Sequence, residues 1–129
     1  MTPVNDPIGD LLTRVRNAQA VGRTQCRAPW STLKLQLCEL LVREKLLQSV
    51  TVEGTAPKQE LVITFLTDRP ALSLKRVSTP GRRVYRAVDE LKSVENGFGI
   101  AVLTTSQGII TDREARLKKI GGELLCTIS

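Results

Sequence analysis

Val50-Thr51-Val52-Glu53-Gly54-Thr55-Ala56-Pro57-Lys58-Gln59-Glu60-Leu61-Val62-Ile63-Thr64-Phe65-Leu66 is where the apolar period of this chain changes from helical to extended. Val50 and Val52 fall on one face of a pleat, as do Leu61, Ile63 and Phe65, and the Gly-Thr-Ala-Pro-Lys stretch between them has turn chemistry. Two antiparallel strands follow from that pattern. Upstream, Ser31 is placed to cap a helix that carries Leu33, Leu37, Leu40 and Leu41 inward and runs to about Leu46. Residues 22 to 29 are mixed and end in Pro29, as an edge strand does. Before them, Asn5 or Asp6 caps a helix with Pro7 in its first turn and Ile8, Leu11, Leu12, Val15 and Ala18 on one face. The first half therefore reads α-β-α-β-β.

Downstream, Thr67-Asp68-Arg69-Pro70 interrupts both periods and marks a joint, which sets an N-terminal subdomain at 1–66 and a C-terminal one at 67–129. Leu72 to Val77 alternates, a Ser78 to Arg82 turn is expected to reverse the chain, Val84 to Val88 continues, and Asp89 begins a brief helical turn. Gly99 to Thr105 is an apolar run, Ser106-Gln107-Gly108 is a tight turn, and Thr111-Asp112-Arg113-Glu114 has the form of a capping box. A short helix is expected from Asp112 to Ile120, ended by Gly121 or Gly122 in the left-handed conformation, and Glu123 to Ile128 reads as a last strand. The fold class is α+β, with the second half mostly antiparallel β with short helices.

The chain has 19 Lys and Arg against 13 Asp and Glu, and the surplus lies mostly after residue 66. A polyanion would meet that half first. Lys75 to Arg86 holds five cations and no acid around a Pro-Gly turn. Arg76, Arg82, Arg83 and Arg86, with Ser78 in the turn, suit phosphate contact, because a guanidinium forks two N–H groups onto one phosphate. A solvated charged face is the alternative. Tyr85 beside them stacks on a base or ribose, or else lies half-buried against the sheet. Arg14, Arg16, Asn17, Ser31 and Lys34 on the first two helices form a second, weaker contact or a solvated surface.

Cys26, Cys38 and Cys126 are too widely spaced for a zinc site or a disulfide framework, which favours a reducing compartment and small apolar core roles. Neither metal nor cofactor is expected. The chain contains no histidine, the commonest general base. No stretch has the length of apolar residues that a membrane span needs, and the N-terminus does not read as a leader. A soluble protein without membrane or small-molecule partners is expected.

Four segments in register carry a resemblance: Asp6-Pro-Ile-Gly-Asp-Leu-Leu-Thr-Arg-Val-Arg-Asn-Ala, Arg76-Val-Ser-Thr-Pro-Gly-Arg-Arg-Val-Tyr, Gly97-Phe-Gly-Ile-Ala-Val-Leu-Thr-Thr-Ser-Gln-Gly-Ile-Ile-Thr-Asp, and Gly121-Gly-Glu-Leu-Leu-Cys. Together they resemble the small-subunit ribosomal protein number eight family, of bacterial or organellar type. The resemblance implies a non-catalytic two-part protein that binds a helical element in the central domain of small-subunit ribosomal RNA during assembly, beside neighbouring ribosomal proteins, in the cytoplasmic or an organellar ribosome. It also implies repression of its own operon message by some members. The RNA-contacting turn maps onto Thr104, Thr105, Ser106, Gln107 and Gly108, the aromatic onto Tyr85, and the terminal motif onto Gly121, Gly122 and Glu123. Thr79 stands where the family usually has a basic residue, and Arg82 supplies a cation just after the glycine. Gln107 replaces a residue that is often basic.

The chemistry fits double-stranded RNA, whose wide, shallow minor groove offers ribose hydroxyls to small hydrogen-bonding groups that approach closely. An enzyme would need Ser106 or a cysteine as nucleophile with Asp112 or Glu114 as helper, and without histidine Lys118 or Lys119 would have to serve as base. A non-ribosomal protein-interaction module with an incidental basic patch is the remaining alternative.

Overall fold

A computed structural model describes residues 7–67, 70–79, 81–87 and 99–129. The expected Asn5 or Asp6 cap, Asp68 and Arg69 of the joint, Pro80, Val88, the helical turn from Asp89, and Gly97 with Phe98 lie outside the described residues. The fold is α+β, and its strands pair antiparallel throughout. The chain divides into two compact units, Met1–Leu72 and Ser73–Ser129.

The first unit runs α1 (Pro7–Ala20), β1 (Gln25–Pro29), α2 (Thr32–Arg43), β2 (Ser49–Glu53) and β3 (Glu60–Thr64). Ile8, Leu11, Leu12, Val15 and Ala18 are all buried, so the helical spacing reported the inner face of α1 correctly. The sheet order is β1-β3-β2, and central β3 buries Leu61 and Ile63 completely. On the opposite face Arg27 of β1 reaches Glu53 of β2 at 3.0 Å, across the face that carries Val62.

Ser31 caps α2 by accepting the Lys34 amide at 3.1 Å, as the sequence indicates, but the helix stops at Arg43 rather than near Leu46. The backbone enters the left-handed region at Lys45, and the Leu46 amide donates back to the Leu41 carbonyl at 2.8 Å. Leu46 and Leu47 are thereby tucked into the core without further helix. Burial pushes the Cys38 thiol up to about 12, with neighbouring Cys26 and Glu39 adding to the shift.

The second unit holds β4 (Leu74–Arg76), β5 (Tyr85–Arg86), β6 (Ile100–Thr105), β7 (Gly108–Thr111), α3 (Asp112–Lys118) and β8 (Gly122–Ile128). The sheet order is β4-β8-β6-β7, and β5 also pairs with β8. Ala101, Val102, Leu103, Ile110, Ala115, Cys126 and Ile128 make its core. The Cys126 thiol is likewise raised to about 12 by burial, with Arg76 opposing.

The Ser78 to Arg82 turn does not reverse the strand, contrary to the sequence reading. Leu74, Lys75 and Arg76 lie opposite Ile128, Thr127 and Cys126, and Tyr85 and Arg86 opposite Glu123 and Gly122, so β4 and β5 run the same way along one edge of β8. The turn is real but local: Thr79 and Arg82 exchange backbone hydrogen bonds of 2.9 and 3.1 Å. It forms the tip of a loop that leaves β8 and returns to it. The loop leaves where β8 carries a bulge, with Val102 opposite Cys126 but Leu103 opposite Leu124, leaving Leu125 as the extra residue. The Leu125 carbonyl accepts both the Val77 and Ser78 amides, at 3.0 and 3.2 Å.

Thr111 caps α3 as read, its hydroxyl accepting the Glu114 amide at 3.2 Å and donating to the Glu114 carboxylate at 3.4 Å. Helix α3 is two residues shorter than the expected stop at Ile120, and its left-handed residue is Lys119, at φ 57°, in place of either glycine. The Ile120 amide returns to the Ala115 carbonyl at 3.1 Å, which frees Gly122 to begin β8.

Candidate nucleic-acid interface

The hairpin of β6 and β7 closes with Thr105 opposite Gly108, so Ser106 and Gln107 form a two-residue tip. Gly108 has φ +101°, a conformation that L side chains avoid, which is why the turn needs glycine there. The Thr105 hydroxyl donates to the Gly108 carbonyl at 3.0 Å and accepts the Gln107 amide at 3.1 Å. It works as the brace of the turn. Ser106, Gln107 and Gly108 are exposed, and Ser106 with Gln107 forms the end of the hairpin.

Behind that tip, Glu123 of β8 lies directly opposite Tyr85 on one side and Thr104 on the other. Residues directly opposite in an antiparallel sheet share a face, so Tyr85, Glu123 and Thr104 make one row. Tyr85 is 65% exposed, more open than the half-buried alternative. The Glu123 carboxylate is nearly enclosed, whereas its partner Arg83, at 3.1 Å, is half exposed. An acid in a basic surface is thus neutralised by the surface's own arginine.

Arg82 and Arg86 are exposed on the same loop and strand, and an Arg86 guanidinium N–H donates to the Tyr85 carbonyl at 3.0 Å. The Arg76 Nε–H donates to the Ser78 carbonyl at 2.7 Å, which ties its guanidinium to the loop base. Gly121 precedes β8 and Gly122, its first residue, faces Arg86. Of the residues expected of the second half, Thr104, Thr105, Gly108, Arg76, Tyr85, Arg86, Gly122 and Glu123 belong to one sheet, Ser106 and Gln107 close its β6–β7 hairpin, and Arg82, Arg83 and Gly121 lie in the segments that adjoin it. Ser78 is the exception: it is buried, its hydroxyl accepting the Val84 amide at 2.9 Å, so it holds the loop and does not face a ligand.

The weaker contact expected of the first unit is corrected in the same way. The Ser31 hydroxyl is occupied by the α2 cap, and Lys34 is buried, its ammonium 3.2 Å from the Pro29 carbonyl and 3.5 Å from Asp10. Arg16 and Asn17 remain exposed. Arg14 pairs with Asp10 at 2.9 Å and donates to the Arg27 carbonyl at 3.3 Å. Arg14 and Asn17 border an open groove of about 560 Å³ that Arg23, Gln25, Cys26 and Arg27 also line. Sequence reasoning passed over Arg23 and Arg27, because a short mixed segment gives no sign of which helix face it will adjoin.

Among the described residues no cluster of three or more histidine, cysteine, aspartate or glutamate side chains could hold a metal ion, and no helix is long and apolar enough to cross a membrane.

Residues 6–129 match the family model described as Ribosomal protein S8. The small ribosomal subunit protein uS8 of Acidithiobacillus ferrooxidans is 46% identical over 129 residues, covering 98% of both chains. Its counterpart in Anaeromyxobacter dehalogenans is 46% identical over 127 residues, covering 95% of this chain and 96% of the relative. That of Albidiferax ferrireducens is 42% identical over 129 residues, covering 98% of both. Matched along nearly its whole length by model and relatives alike, the chain belongs to the ribosomal protein S8 family.

Proposed function

We propose that this protein is a structural, non-catalytic component of the small ribosomal subunit that binds a helical element in the central domain of the ribosomal RNA and supports assembly. The observation that carries the reading is the row in which Glu123 joins Tyr85 to Thr104, because it sets an exposed aromatic and a hydroxyl-bearing turn on one sheet. Ser106 and the turn amides approach the minor groove, where ribose hydroxyls and base edges are accessible. Arg82, Arg83 and Arg86 contact phosphates on the flanks, fixing register and adding a salt-dependent term. Tyr85 stacks on an unpaired base, worth about 1–3 kcal/mol. Gly121, Gly122 and Glu123 complete the surface.

Arg14, Arg16 and Asn17 on α1 supply a secondary RNA contact, neighbouring small-subunit proteins are further partners, and the setting is the cytoplasmic ribosome. A message of its own operon that folds to the same shape would occupy the same surface and be repressed. The test is ribonuclease footprinting of naked small-subunit RNA with and without the protein, alongside binding to the protected hairpin and to duplex DNA. Protection of one irregular helix and preference for its hairpin are expected; equal affinity for hairpin and duplex DNA would defeat the reading.

A further inference from the structure

A side chain at Gly122 would place its Cβ 2.4 Å from the Thr104 carbonyl oxygen and 2.8 Å from the Thr105 methyl carbon. At Gly121 the same atom would lie 2.4 Å from the Arg86 carbonyl oxygen and 2.9 Å from the Ala87 Cα. Most of these obstacles are backbone, which cannot swing aside as the end of a long side chain does. Neither glycine has a positive φ, in contrast to Gly108, whose surroundings are open. Space, and not backbone conformation, reserves positions 121 and 122 for glycine.

The two crowded neighbours lie on opposite sides of β8. Gly122 adjoins the end of β6, where Thr105 braces the hairpin tip through Gly108 and Gln107. Gly121 adjoins the end of β5, which carries Tyr85 and Arg86.

We propose that Gly121 and Gly122 are positioning residues, each setting one half of the RNA-binding surface: Gly122 the hydroxyl turn, Gly121 the Tyr85–Arg86 strand. The inference rests on the proposed function for what the surface binds. Bulk at Gly122 moves the turn that discriminates among RNAs, whereas bulk at Gly121 moves the strand that carries a cation.

The test measures Gly122→Ala and Gly121→Ala in the full chain, binding the footprinted RNA hairpin and an unrelated RNA duplex over a range of KCl. Gly122→Ala is expected to weaken hairpin binding about tenfold, the equivalent of a lost hydrogen bond, with duplex binding and salt slope unchanged. Gly121→Ala is expected to weaken both complexes and to lower the salt slope by about one. Proton–nitrogen NMR reads the displacement without RNA: the Thr104–Gly108 amides should shift most in the first variant and the Tyr85–Ala87 amides in the second. Unmoved amides, wild-type binding by either variant, or loss of the cooperative melt in either would overturn the inference. Displaced amides in a protein whose wild type shows no preference for the hairpin would instead overturn the proposed function.

Discussion

Ser78 holds Val84 by both of its backbone polar groups: its hydroxyl accepts the Val84 amide at 2.9 Å and donates to the Val84 carbonyl at 3.4 Å. The Val84 carbonyl also receives the Leu124 amide at 2.8 Å, so one serine closes the arginine loop onto β8.

Ser78→Ala removes that clasp and leaves the Val84 amide without its partner. A loss of about 1–3 kcal/mol is expected from the orphaned donor, measured by urea unfolding. The loop carrying Arg82 and Arg83 should loosen with it, so weaker RNA binding should accompany the lost stability. Unchanged stability would show that the clasp contributes nothing.

Ser106 and the loop arginines should fail differently. Ser106→Ala weakens binding to the cognate hairpin by about 1 kcal/mol or more and leaves the salt slope intact. Arg82→Ala and Arg83→Ala lower affinity for every RNA and reduce the slope by about one each. Arg83→Ala should be the more damaging, because it also strips Glu123 of its 3.1 Å partner and leaves an anion facing phosphate. Filter binding across a KCl series checks this; identical slopes in all three variants would refute the division of labour.

Lys119 sits at φ 57°, where an L side chain is strained by about 1–2 kcal/mol, while glycine is not. Lys119→Gly should therefore stabilise the protein by about 0.5–1 kcal/mol after the added flexibility of the unfolded chain is deducted. Thermal melting reads it directly, and a lowered midpoint would contradict the account.

Burial pushes the Cys38 and Cys126 thiols from an ordinary value of 9.0 up to about 12. Between those values the unfolded chain sheds thiol protons that the folded one keeps, so the two thiols cost no stability below pH 9 and lower it progressively as pH rises toward 12. Replacing both cysteines by alanine should flatten that decline when compared with wild type by urea unfolding at stepped pH. Parallel curves would exclude the thiols as its source.

The elements were largely legible because each rests on local chemistry: the apolar spacing of α1, the Ser31 and Thr111 caps, and the paired valines of β2. What escaped was set by distant partners. The Pro-Gly turn announces that the chain bends near Thr79, but not that the strands on both sides pair with β8, more than thirty residues later, instead of with each other. Gly121 and Gly122 look locally like a helix stop; only the carbonyls of Arg86 and Thr104 reveal that they are kept small for packing, which leaves Lys119 to take the left-handed turn. Lys34 reads as a surface cation until its ammonium is found beneath α1, on Asp10 and the Pro29 carbonyl. Ser106 was legible as surface because turn tips seldom find cover, whereas the exposure of Tyr85 was not, since a short strand gives no local sign of whether anything packs over its side chain.

Because Leu125 is the surplus residue of β8 and receives the departing chain at Val77 and Ser78, while Val84 is held by Leu124 and Tyr85 lies against Glu123, the segment between them is anchored at both ends. A change of length or charge is therefore expected to be borne most easily at its tip, between Thr79 and Arg82, where the grip of Ser78 on Val84 is left intact.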